Sequence, residues 1–259
     1  MLGAQMVKYF YKQNKKNNFK IFNSSRKRSK KKIFFDVFND KTYKNIEATN
    51  PHYIINCIGL IKPKISINST KSNIECFNIN SMFPFYLSNN FKNSKIIHIS
   101  SDGVFNGLKG NYLETDKPSS NDIYGISKII GEIKNKNVMN IRCSIIGFEK
   151  KTSNSILSWF LKKNPRQISG YNDQIWNGIT THALSKICIG IIKAKLFRSG
   201  LFHIFSKNKV TKYKLLLILN EILNNNSKKV KLVNSGNPIN TSLATIHNKY
   251  ILRIWKSSG

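Results

Sequence analysis

Ile96-Ile97-His98-Ile99-Ser100-Ser101-Asp102-Gly103 and, farther along, Tyr124-Gly125-Ile126-Ser127-Lys128 are the stretches from which a fold can be read. Ile96 to Ile99 sets branched apolar side chains at nearly consecutive positions, the pattern of a strand covered on both faces. The polar Ser-Ser-Asp-Gly run ends it in a turn. Residues 106 to 123, rich in Gly, Asn, Asp, Ser and Pro, read as a loop, and a helix is predicted from about Ile123 to Lys134. The next strand runs from Val138 to Ile146, broken by Arg142 and Ser144.

Outward from this centre the same alternation continues. Upstream, Ile74, Phe77, Ile79, Met82, Phe83, Tyr86 and Leu87 mark a helix over residues 73 to 92. Pro51 introduces an apolar strand, Tyr53 to Gly59, and residues 40 to 50 read as a polar helix. Phe19 to Phe22 and Ile33 to Phe35 are short strand-like runs, and residues 1 to 14 form a helix with Leu2, Met6, Val7, Phe10 and Tyr11 on its stripe. Downstream, residues 153 to 163, 181 to 196 and 213 to 223 read as helices around a strand from Leu201 to Phe205. From Asn224 the chain is rich in Asn, Lys and Ser with no clear period. Short strands alternating with helices imply an α/β fold, a Rossmann-like doubly wound parallel sheet. Its organisation is read as a dinucleotide-binding domain over residues 1–150 and a smaller, partly interleaved substrate-binding part over 151–259.

A length of 259 residues suffices for one such domain with an appendage. No apolar run reaches the roughly 18 residues of a membrane span, and no signal peptide opens the chain, so membrane insertion is not expected and the expected location is cytoplasmic. Cys57, Cys76, Cys143 and Cys188 stand singly and read as reduced core thiols. The 43 Lys and Arg against 12 Asp and Glu give a net charge of +31, which raises nucleic acid as a partner. The lysines, however, are spread over the whole length beside many Asn, Ile, Phe and Tyr, as AT-rich coding would produce. The excess is therefore read as composition, with no specific nucleic-acid partner.

Tyr124 and Lys128 are four residues apart just inside a predicted helix, so they share a face and an ammonium can sit near a phenol. A nearby cation favours the ionised phenol and lowers its pKa, and such a tyrosine can exchange a proton with a substrate oxygen. Ser101 lies just beyond the carboxyl end of its strand, where open α/β sheets bind ligands, and could hold the same oxygen.

Residues 98 to 107, Gly110-Asn111-Tyr112, Glu114-Thr115-Asp116 and residues 124 to 132 together resemble the extended short-chain dehydrogenase/reductases, most closely the dTDP-4-dehydrorhamnose reductases and their sugar-nucleotide-binding relatives. Ile55 to Gly59, Asn80, Arg142 to Gly147 and Trp176 to Thr181 add to the likeness, which covers about residues 1 to 220. The resemblance implies a catalytic triad of Ser101, Tyr124 and Lys128. Tyr124 would protonate the keto oxygen as hydride arrives, Ser101 would hold that oxygen, and Lys128 would tune Tyr124 and bind the nicotinamide ribose. Related dehydratases carry Asp-Glu after the Ser/Thr position. Here the place reads Asp102-Gly103, which favours simple keto reduction.

The resemblance also implies a cofactor site at Gly3, Arg26, Asp36, Val37, Cys57 and Gly59, together with Tyr124 and Lys128. The cations around Arg26 favour NADPH over NADH. The substrate side would draw on Asn80, Ser101, Asp102, Val104, Arg142 and Trp176, with Arg142 pairing with a diphosphate; no metal site is implied. A departure stands beside these matches. The family's G-x-x-G-x-x-G fingerprint follows a first strand, and Met1-Leu2-Gly3 matches only its last three positions. The missing strand is expected either to precede Met1 in a longer protein or to have been lost in a decaying homologue, and its absence should expose a neighbouring strand edge. The expected activity is NADPH-dependent reduction of the 4-keto group of a nucleotide-activated 6-deoxy sugar for surface polysaccharide, with a nucleotide sugar as partner and a homodimer as an allowed assembly. The rival reading is a non-catalytic binding or regulatory homologue, because the family includes a regulatory subunit of methionine adenosyltransferase.

Overall fold

The computed structural model describes residues 1–14, 19–149, 154–162, 167–223 and 228–258. Helix α1 (Leu2–Asn14) leads into two short strands, β1 (Ser24–Ser25) and β2 (Ile33–Phe34), and a one-turn helix α2 (Tyr43–Glu47). Strand β3 (Tyr53–Asn56) follows, then α3 (Thr70–Phe77) and α4 (Phe83–Asn90), and strand β4 (Lys95–Ile99). Helix α5 (Ile123–Ile130) precedes β5 (Val138–Arg142), which breaks before β6 (Ile145–Ile146). The rest comprises α6 (Ile156–Lys162), β7 (Gln167–Tyr171), β8 (Gln174–Trp176), β9 (Ile179–Thr180), α7 (Thr181–Lys193), β10 (Gly200–His203) and β11 (Val210–Thr211). It closes with α8 (Lys212–Ile222), β12 (Lys229–Val233), β13 (Ile239–Asn240) and α9 (Asn248–Ser257). Side-chain oxygens of Ser69, Asp122, Thr180 and Thr211 cap α3, α5, α7 and α8 by accepting from otherwise orphaned amides. None of the described helices is long and apolar enough to cross a membrane.

The central sheet is parallel throughout, in the order β10-β5-β4-β3. Alternation along β4 shows why both faces are apolar. Ile97 and Ile99 join a core with Met139 and Ile141 of β5, Leu2 and Phe10 of α1, Ile187 of α7 and Ile254 of α9. Ile96 lies in a second core with Val138, Phe83, Leu87 and Phe35. The sheet is thus covered on both sides, as a doubly wound fold requires.

Three expectations change. Phe19 to Phe22 is not a strand; the short strand lies at Ser24–Ser25 instead. β1 and β2 form a two-stranded sheet separate from the central one; β3, among the described residues, pairs only with β4 and carries an open edge, as expected. The chain after Asn224, which has no readable period, is ordered by partners: β12 runs parallel to β7, β13 parallel to β8, and α9 buries Ile251 and Ile254. The ends of the helix predicted over residues 153 to 163 fall partly outside the described residues; α6 occupies its middle. The boundary near residue 150 is crossed twice, since β10 completes the central sheet and α7 with α9 covers it.

The helical stripe from 73 to 92 is one continuous path with a defect. Pro84 has no N–H to give the Asn80 carbonyl four residues back, and the helix opens into a π turn over Asn78–Met82. Gly131, just past α5, lies against that carbonyl, where a Cβ would stand 2.0 Å from Asn80 O. This close approach seats the end of α5 against the π turn between α3 and α4.

Candidate active site

Ser101 follows β4 directly and caps the short 3-10 turn Asp102–Val104, its Oγ accepting from Gly103 N at 3.0 Å. The Tyr124 ring stands against the same turn, and the Ser101 hydroxyl favours the ionised form of its phenol. Gly103 permits the approach: a Cβ there would stand 2.9 Å from Tyr124 Cε1 and 3.2 Å from Ser101 Oγ. A side chain at 103 would drive the tyrosine ring off the serine.

Burial pushes the Tyr124 phenol up to about 12; the negative charge of Asp102 adds to the rise and the Ser101 hydroxyl opposes it. The lowering expected from a neighbouring ammonium is therefore not the net result. Lys128 is buried and donates through Nζ to the Ile99 carbonyl at 2.8 Å. Burial pushes its ammonium down to about 8, and Glu132 is the strongest opposing influence. Tyr124 is thus a protonated acid at neutral pH, and Lys128, one helical turn farther on, is a buried cation close to losing its proton.

Several residues expected to meet substrate are committed elsewhere. Arg142 is buried, and its Nε and Nη2 donate to the two oxygens of Glu132 at 2.8 and 2.7 Å, with its guanidinium 5.0 Å from the Phe105 ring centre. A guanidinium so paired is a structural brace, not a diphosphate clamp. Asn80 is fully buried; its amide accepts from Leu60 N at 2.8 Å and donates to Leu60 O and Ser127 Oγ at 3.1 and 3.0 Å. It ties the loop after β3 to α5 and has no free edge for a sugar. Val104 packs into a core with Phe105, Tyr112 and Leu243. At these three positions the side chain points into the protein and is committed to a neighbour there.

Asp102 and Trp176 stay at the site. Asp102 is held by Ser101 Oγ at 3.3 Å and Thr241 Oγ1 at 2.9 Å, and burial raises its carboxyl above the usual range. Trp176 is half-buried over Gly178, where a Cβ would stand 2.2 Å from Trp176 Cζ2 and 2.4 Å from Ser144 O. Ser144 in turn opposes the rise of the Asp102 carboxyl. Thr241 and Glu132 carry no local signal of their place here; Thr241 arrives from 139 residues away.

On the cofactor side, Gly3 in the first turn of α1 lies against Cys57 at the end of β3, its built Cβ 3.6 Å from Cys57 Cβ. The first amides of α1 have no acceptor within the helix, as an anion site requires. Gly59 is exposed beside Asn80, and Arg26 is exposed just after β1. Asp36 and Val37 are half-buried in the turn after β2, where Asp36 Oδ1 accepts from Phe38 N at 3.1 Å.

A doubly wound sheet with serine, tyrosine and lysine gathered at the carboxyl end of β4 defines an extended short-chain dehydrogenase/reductase-like protein. Residues 3–244 match the model of the RmlD substrate-binding domain, and the chain belongs to that family. The structure is similar to a dTDP-4-dehydrorhamnose reductase of Clostridium acetobutylicum, with a TM-score of 0.77 at 21% identity over 99% of this chain and 92% of that one. It is equally similar to a dTDP-4-dehydrorhamnose reductase of Bacillus anthracis solved in complex with NADP, with a TM-score of 0.77 at 20% identity over 99% and 94% of the two chains. A curated relative, methionine adenosyltransferase 2 subunit beta of Danio rerio, is 24% identical over 190 residues, 69% of this chain. The chain spans 58% of that relative's length.

Proposed function

We propose that the protein reduces the 4-keto group of a nucleotide-activated 6-deoxy sugar with NADPH, in the making of a surface polysaccharide. The observation that carries the reading is the close approach of both Ser101 Oγ and the Tyr124 ring to the side-chain-free Gly103, which brings serine and tyrosine together after β4. NADPH, when bound, supplies the hydride, two electrons delivered to the carbonyl carbon. The carbonyl oxygen sits between Ser101 Oγ, which donates to it, and the Tyr124 hydroxyl, whose O–H bond breaks as that oxygen takes the proton. A phenol held near 12 is fully protonated at neutral pH, which suits the direction of reduction. Lys128 stands ready to stabilise the tyrosinate and to return a proton through its ammonium.

The experiment is NADPH oxidation followed at 340 nm with dTDP-4-keto-6-deoxyglucose or its UDP analogue. Turnover that depends on the sugar and is lost in Tyr124→Phe supports the reading; turnover indifferent to that change defeats it. The likeness to methionine adenosyltransferase 2 subunit beta favours a second reading, a nucleotide-binding subunit without turnover. Calorimetric titration separates the two, since the subunit reading expects binding of sugar nucleotide without NADPH oxidation.

A further inference from the structure

Only 12 of the 259 residues are acidic, and one of them, Glu132, lies beneath the candidate site with its side chain 9% exposed. Its Oε1 accepts from Ser100 Oγ at 2.6 Å as well as from Arg142 Nε at 2.8 Å, and its Oε2 accepts from Arg142 Nη2 at 2.7 Å. One carboxylate therefore joins three elements: the turn after β4, the end of β5 and the end of α5. Ser100 is bonded by its amide to the Ile141 carbonyl at 2.7 Å, so the backbone that carries Ser101 is held from both sides. Lys128 is one helical turn before Glu132, and its nearest hydrogen-bond acceptor is neutral, the Ile99 carbonyl.

We propose that Glu132 is a positioning residue of this centre: it locks the Ser100–Ser101 turn to the end of α5 and supplies the negative charge that Lys128 faces inside the protein. The inference rests on the reductase reading for the use made of Lys128, not for the charge relation itself. The other titratable groups around Lys128 cannot replace Glu132. His98 of β4, buried and held neutral, faces it, as do the thiols of Cys76 on α3 and Cys143 after β5, and Tyr124 is protonated. Arg142 carries the same sign as Lys128 but directs its fork at Glu132. Burial disfavours the ammonium, and Glu132 is the strongest influence that retains it.

The test follows the Lys128 side chain itself by carbon NMR of the full chain with lysine labelled at Cε, the Lys128 signal being identified by its loss in Lys128→Met. Glu132→Gln keeps the shape and removes the charge, and the Lys128 midpoint is expected to drop by about one pH unit. Glu132→Asp retains the charge and should restore most of that drop. The double variant Glu132→Gln with Arg142→Gln leaves no unpaired guanidinium, guards against loss of fold, and should still titrate below the wild type. In the active enzyme the alkaline limb of kcat/KM should move by the same amount, with KM for NADPH changed less than twofold. A folded variant without the carboxylate whose Lys128 titrates like the wild type overturns the proposal. So does loss of fold in both charge-removing variants, because Glu132 would then serve stability alone. A wild type that never oxidises NADPH sinks the reductase reading but leaves the Lys128 midpoint to decide this one.

Discussion

The ring of Tyr124 lies so close over Gly103 that a Cβ at 103 would stand 2.9 Å from Tyr124 Cε1, inside the distance real Cβ atoms keep. The contact couples the turn after β4 to the first turn of α5 through one absent side chain. Gly103→Ala should displace the phenol by a fraction of an ångström while leaving both elements in place. Because misplacement of about 1 Å can cost ~100-fold in rate, kcat should fall between about tenfold and 100-fold. Circular dichroism and NADPH binding should be unchanged.

Tyr124→Phe removes only the proton donor. General acids typically contribute about 10²–10⁴ in rate, so turnover should fall by about 10³ in steady-state assays. The melting temperature should hold or rise slightly, since a buried hydroxyl is exchanged for hydrogen.

Lys128, pushed down to about 8, sets the alkaline behaviour. The rate should fall as pH rises through about 8, with one proton lost, if the ammonium is needed. Stability moves the other way. Between about 8 and its ordinary 10.5 the lysine is protonated when unfolded but neutral when folded, so this group's contribution rises with pH across that window. Urea denaturation at pH 7 and pH 9.5 should show a gain in the wild type that is smaller in Lys128→Met.

Arg142→Met leaves the Glu132 carboxylate buried without its partner. Breaking one side of a buried pair costs about 3–5 kcal/mol, and adding Glu132→Gln should recover part of it. A variant that stays as stable as wild type but loses affinity for the sugar nucleotide would return Arg142 to the substrate site. Thermal melts with matched KM measurements decide between these outcomes.

Much of the architecture is legible in local pattern. Ile96 to Ile99 reads as a doubly covered strand because adjacent apolar residues must point to opposite faces, and both cores receive them. The Tyr-x-x-x-Lys pair reads as one helix face because helical spacing is local. The α3–α4 stripe reads as one helix for the same reason, although the π turn it contains depends on Pro84.

What each side chain meets was not legible in the same way. Arg142 has the same one-letter identity as a diphosphate ligand and as half of a buried ion pair, and only the position of Glu132 across α5 and β5 separates the two. Asn80 and Val104 turned inward for the same reason, one toward the Leu60 backbone and the other toward Leu243. The segment after Asn224 has no period of its own because β12 and β13 are strands by virtue of β7 and β8. By itself the sequence determined which elements form and which chemical groups gather after β4, since periodicity and turn chemistry act over a few residues. The tertiary structure alone decided that Thr241 reaches Asp102, that Lys128 bonds to a carbonyl, and that burial raises the Tyr124 phenol. Desolvation and long-range pairing depend on the whole packed chain.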